Sequence, residues 1–233
     1  MKIGFFNLSA KSMRRDGEKM ARRKKQPRSV HRETIASAAS VLFMEKGITA
    51  TSMDDIAKAA GYSKATLYVY FENKEEIIGF LVLDSMKKLY GYIAAALEQQ
   101  EATRMRYDLI CQGLVKYQEE FPCYFRLVLD KINIDFENHN CLPEEKETFQ
   151  IGEEINEKIK DFITAGIEKG DLRGDLELLP TIFNFWGMLS GLIQLAANKE
   201  EYIKCAMNLS KEEFLTYGFR MLYCSIAKED ERS

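Results

Sequence analysis

The stretch Thr51-Ser52-Met53-Asp54-Asp55-Ile56-Ala57-Lys58-Ala59-Ala60-Gly61-Tyr62-Ser63-Lys64-Ala65-Thr66-Leu67-Tyr68-Val69-Tyr70-Phe71-Glu72-Asn73-Lys74-Glu75-Glu76 decides the fold of this 233-residue chain. It reads as two short helices joined by a tight turn. Ser52 and Asp55 have the spacing of a capping box that starts a helix at Met53, with Ile56, Ala57 and Ala60 on its inner face. Gly61 ends it after two turns. Ser63 caps again, and from Lys64 a third helix sets Leu67, Tyr70 and Phe71 on one side. Upstream, Ile35, Ala38, Ala39, Leu42 and Phe43 recur at helical spacing between Arg32 and Gly47 and form a bracing first helix. Two short helices joined through Gly61, Tyr62 and Ser63, with a third behind them, make a helix-turn-helix.

A recognition helix needs an inward face, an outward face and phosphate anchors at its edges. Leu67 and Phe71 point inward, which leaves Lys64, Ala65, Thr66 and Tyr68 on the outward arc. The Lys64 ammonium can reach guanine acceptors in a major groove, with Thr66 in support. Ala65 is small enough to let the backbone approach, and Tyr68 can touch either a phosphate or a thymine methyl. Ser52 and Ser63 serve as helix caps, as DNA contacts, or as both, because the N–H groups at a cap are also a seat for phosphate.

The same stretch closely resembles the signature of TetR-family repressors, and Phe43, Gly47 and Thr51 also fall where that family's first helix and turn would place them. The resemblance covers the helix-turn-helix and the start of the next helix. It implies a homodimer that binds double-stranded operator DNA, a four-helix dimer interface made from the final two helices, and a small-molecule effector held by the helices before them. It also implies that Thr51, Tyr70 and Lys74 clamp phosphates. Tyr70 is equally suited to the core.

Outward from the motif, the expected fold is all-α: a three-helix DNA-binding head followed by a larger helical ligand-binding and dimerisation body. Residues 1–30 read as a flexible basic tail, 31–78 as the helix-turn-helix domain and 79–233 as the body. Charge follows this division. Residues 1–78 carry 15 Lys and Arg against 9 Asp and Glu, and residues 79–233 carry 18 against 27, within an overall charge of -3. A positive head on an acidic body keeps phosphate at one end, although most of the excess lies before Glu33 and equally describes a basic tail, in which Arg22 to Lys25 are either solvated or in contact with DNA. Asn73 with Glu76 opens a fourth helix linking head to body. Further helices are expected near Arg104 to Glu120, Cys123 to Lys131, Glu144 to Lys169, Glu177 to Asn198 and Lys211 to Lys228, with Pro122, Pro143 and the Ser210–Glu213 capping box as punctuation.

The uncharged run Leu178 to Asn198 is long enough to span a bilayer, but Thr181, Asn184, Ser190, Gln194 and two glycines interrupt it and no basic cluster flanks it. It reads as a helix buried on nearly all sides. Gly187 and Gly191 in it would let a partner helix approach, so a symmetric dimer is the expected destination of its surplus apolar surface. For the ligand, the aromatic set Tyr117, Phe121, Phe125 and Trp186 is the expected wall. With only His31 and His139, no phosphate-cradling glycine loop and no nucleophile–base arrangement, nothing points to an enzyme. The five cysteines lack paired spacing; His139 beside Cys141 has no companion pair, so no metal and no cofactor is expected. Without a secretory signal the chain is expected in the cytoplasm. The competing readings are an all-helical interaction module that never touches DNA, for which the face around Lys64 and Tyr68 would be covered, and an activator without effector control.

Overall fold

Capping side chains and glycines set the helix borders where the spacing placed them. The computed structural model describes residues 27–98, 102–129 and 143–228. Among these are ten helices and no strand: α1 (Arg28–Lys46), α2 (Met53–Ala60), α3 (Lys64–Tyr70), α4 (Lys74–Leu97), α5 (Thr103–Glu120), α6 (Pro122–Leu129), α7 (Pro143–Lys169), α8 (Leu178–Asn198), α9 (Glu200–Met207) and α10 (Lys211–Ile226). Ser52, Ser63, Asn73 and Ser210 each accept a hydrogen bond from the amide three residues on, supplying a partner the first helical turn lacks. At Gly61 the backbone is left-handed (φ 74°), a conformation that lets the chain turn from α2 into α3 at little steric cost only with glycine.

Two hydrophobic cores form. In the head, Ile35, Ala39 and Phe43 of α1 pack with Ile56 and Ala57 of α2, Leu67 of α3 and Phe71. The body core is built from α4, α5, α7, α8 and α10 around Leu89, Leu114, Tyr117, Phe162, Ile193 and Tyr223. Two elements belong to both. Helix α4 gives Ile77 and Leu81 to the head core and Met86, Leu89 and Ile93 to the body core. The short α6 sends Cys123 and Leu127 to the head and Phe125 and Val128 to the body.

Three expectations change. Helix α1 starts at Arg28, inside the segment expected to be tail; residues 1–26, with Arg22 to Lys25, lie outside the described part, as do His139 and Cys141. Helix α9 was not expected. It follows α8 across the single residue Lys199, has no side-chain cap to announce it, and ends at Asn208 in the left-handed region (φ 55°). Helix α8 is not buried on nearly all sides. Its own chain covers Ile182, Leu189, Ser190, Ile193 and Ala196, while Phe183, Gly187, Met188, Gly191 and Leu195 are exposed. By length and composition alone α8 is apolar enough to cross a membrane.

Candidate nucleic-acid interface and body cavity

The outward arc of α3 stands clear of the rest of the head. Leu67 is fully buried beneath it, and Lys64, Ala65 and Tyr68 are exposed on the other side, with Thr66 half-buried. The Ser63 hydroxyl accepts from the Thr66 amide at 3.1 Å and bonds the Thr66 hydroxyl at 2.8 Å, so both side chains are committed to capping before any ligand arrives. The Lys64 ammonium lies 2.7 Å from the Asp54 carboxylate, which holds its pKa above the ordinary lysine value. Asp54 was not among the expected site residues. It stands on α2 ten positions earlier, and only the turn brings the two together. Exposed pairs of this kind are worth little against competing phosphate or base acceptors.

Ser52 closes the reciprocal box with Asp55: the Asp55 amide donates to the Ser52 hydroxyl at 3.2 Å, and the Ser52 amide donates to the Asp55 carboxylate at 3.0 Å. That carboxylate also receives the Lys46 ammonium at 2.8 Å. Lys46 first, and then Ser52, hold the Asp55 carboxyl far below the usual carboxylate range.

The residues that the resemblance assigns to phosphates sit differently from one another. Thr51 is buried, and its hydroxyl donates to the Gly47 carbonyl at 2.8 Å. The Lys74 ammonium donates to the carbonyls of Ile48 at 2.7 Å and Thr51 at 3.0 Å. In this state both side chains brace the α1–α2 turn. Tyr70 is half-buried, tilted on the His31 ring at 5.0 Å and edge-on to Tyr62, and His31 Nδ1 is 2.6 Å from the Tyr62 hydroxyl.

In the body, a cavity of about 530 Å³ lies among α4, α5, α7 and α8. Trp186 lines it, as expected, but Tyr117, Phe121 and Phe125 do not. Those three form an aromatic layer between α4, α5 and α6: Tyr117 is fully buried with ring centroids 6.1 Å from Phe121 and 5.9 Å from Phe125, and its hydroxyl bonds that of Ser85. Burial raises the Tyr117 phenol pKa, so the layer is neutral core. Aromatic content along the chain carries no record of which helix faces the hollow. The wall comes instead from Met86, Leu89 and Ile93 of α4 and from Phe149, Gly152, Glu153 and Asn156 of α7. The last four fall at i, i+3, i+4 and i+7, so that spacing was the available signal.

The exposed apolar face of α8 continues onto α10 through Tyr217 and Met221, both more than half exposed. A Cβ added at Gly187 or Gly191 meets nothing within 4 Å, so neither glycine is required by packing among the described residues.

The fold and the outward face of α3 define a helix-turn-helix protein with a helical body. Residues 35–79 match the family of bacterial regulatory proteins called tetR. The match covers the helix-turn-helix head and the start of α4, so the likeness to that family is shown for the head. It is similar to the HTH-type transcriptional regulator TtgR of Pseudomonas putida, with 34% identity over 82 residues, spanning 35% of this chain and 39% of that protein. A longer likeness, to the fatty acid metabolism regulator protein of Bacillus subtilis, has 22% identity over 202 residues and covers 83% of this chain and 97% of the relative. Among solved structures, the ketosteroid transcriptional regulator KstR2 of Mycobacterium tuberculosis superposes with a TM-score of 0.65 at 18% identity, covering 85% of this chain and 95% of that one. At that identity the shared property is the fold.

Proposed function

We propose that the protein is a transcriptional regulator, acting as a repressor, that binds a palindromic operator as a homodimer and is released by a small-molecule effector. The single observation that carries the DNA-binding part is the exposed strip Lys64, Ala65 and Tyr68 on α3, displayed on a head with its own core. The interaction-module alternative needs that strip to be covered, and the described residues leave it open. Ser52 and Ser63 sit at the starts of α2 and α3, where an approaching phosphate meets helix N-termini. Thr51 and Lys74 hold the α1–α2 turn beside these contacts, and Tyr70 packs on Tyr62 of the α2–α3 turn.

The exposed faces of α8 and α10 support a two-fold interface in which Gly187 and Gly191 let paired helices come close. The two recognition helices would then read half-sites roughly 34 to 36 Å apart. The cavity beside Trp186 supports the effector.

Selection of bound sequences from random DNA tests the reading. A palindromic site is expected, with affinity falling steeply as salt rises. Lys64→Ala is expected to relax preference at one position, at a cost of about 1 to 3 kcal/mol. No enrichment at any sequence would reject operator binding, and identical preference in wild type and Lys64→Ala would remove Lys64 from base readout.

A further inference from the structure

The cavity wall sorts ligands by charge. Its lining is almost wholly hydrocarbon, and among the described lining residues Glu153 carries the only formal charge. No Lys, Arg or His reaches it from the described part of the chain. The polar atoms in the wall are largely committed already. The Tyr107 hydroxyl donates to the Phe219 carbonyl at 2.9 Å and the Thr148 hydroxyl to the Glu144 carbonyl at 2.8 Å. Asn156 Nδ2 donates to the Glu153 carboxylate at 3.1 Å, so these two line the cavity as one polar turn of α7.

Glu153 is exposed and stands with two exposed aromatic rings, Phe149 on α7 and Phe183 on α8, at the side where the cavity meets solvent. A carboxylate placed here would face the like charge of Glu153 and gain no cation from the described wall. A positive group at the same place would meet a carboxylate and two aromatic side chains, whose ring faces attract cations.

We infer that the cavity takes a lipophilic cation, its apolar body among the aliphatic side chains and a protonated or quaternary amine at the α7–α8 edge beside Glu153, in preference to a carboxylate of the same length. This rests on the reading of the cavity as the effector site. Because Glu153 is exposed, solvent screens it and the preference is modest: about tenfold from carboxylate and rings together.

Trp186, the sole tryptophan, lines the cavity and reports its occupancy. The experiment titrates the full chain with dodecyltrimethylammonium, dodecanol and dodecanoate, each below its micelle concentration, and follows Trp186 fluorescence. The expected order is cation tightest and carboxylate weakest, with the cation about tenfold ahead of the carboxylate. In Glu153→Gln the cation-to-alcohol affinity ratio is expected to fall towards one. Dodecanoate binding as tightly as the cation, or an unchanged ratio in Glu153→Gln, overturns the charge selection while leaving the effector site standing. Silence of Trp186 towards all three compounds overturns both.

Discussion

Single side chains in the head do two jobs, and the balance between them can be measured. Lys74 was expected at a phosphate, yet its ammonium ties together the Ile48 and Thr51 carbonyls. Lys74→Met should therefore destabilise the protein by about 1.5 to 3 kcal/mol in urea unfolding, the range for hydrogen bonds to a charged group. Unchanged stability with weakened DNA binding would instead make it a phosphate contact alone. Asp55 offers a pH test. Its carboxyl in the folded head lies below the ordinary value of 3.8, held there by Lys46 and Ser52. A depressed folded pKa means that the contribution is fully present above that ordinary value and is lost as pH falls through the folded one. Wild type should thus exceed Asp55→Asn in unfolding midpoint at neutral pH, and the gap should close in strong acid. A gap independent of pH would assign the effect to the cap geometry.

At the scale of elements, α8 separates folding from assembly. Its buried side, through Leu189, Ile193 and Ala196, belongs to the body core. Its other side has no partner among the described residues, and Gly191 has open space where a Cβ would stand. Gly191→Leu should leave the monomer at least as stable as wild type, gaining about 0.5 to 1 kcal/mol because glycine is unfavourable inside a helix and open space receives the new side chain. The same change should loosen the dimer by forcing paired helices apart. Sedimentation at several concentrations distinguishes the cases: an unmutated protein that is monomeric at micromolar concentration would remove the proposed interface. The contrast with Gly218 on α10 is instructive, since a Cβ there would come within 2.5 Å of the Leu192 side chain. That glycine serves packing between α8 and α10 inside one chain.

Across the whole molecule, head and body meet through more than the continuous α4. The Arg32 guanidinium of α1 lies over Phe71 at 4.6 Å and Phe80 at 4.9 Å, and bonds Glu76 of α4 at 3.2 Å and Glu144 of α7 at 3.1 Å. Glu144 lies in the first turn of the helix that, one to three turns on, lines the cavity with Phe149, Glu153 and Asn156. A ligand that shifts α7 therefore pulls on α1. An effector acts only through its preference for one conformation, and typical coupling of about 1 to 3 kcal/mol corresponds to roughly 5- to 150-fold in affinity. Any compound that quenches Trp186 and releases DNA should bind the DNA complex more weakly by the same factor. Glu144→Gln, which keeps the shape and removes the charge, should shrink that factor. Equal coupling in the variant would leave α4 and α6 as the routes.

How much of this was legible beforehand depends on the range of the interactions concerned. The capping boxes at Ser52 and Ser210, the left-handed Gly61 and the periodic apolar positions of α1 to α4 are local, satisfied within one or two turns, so the amino-acid sequence by itself determined the all-α class, the helix-turn-helix and the outward face of α3. Helix α9 escaped because a single residue separates it from α8 and no side chain caps it. The tertiary structure alone decided the rest. The ion pair of Lys64 with Asp54, the Arg32 junction, the commitment of Tyr117 and Phe125 to core, and the choice of α7 and α8 as the cavity's edge all depend on which helix faces which. That is set by the packing of whole faces from distant parts of the chain, and periodicity within any one helix carries no record of its neighbours.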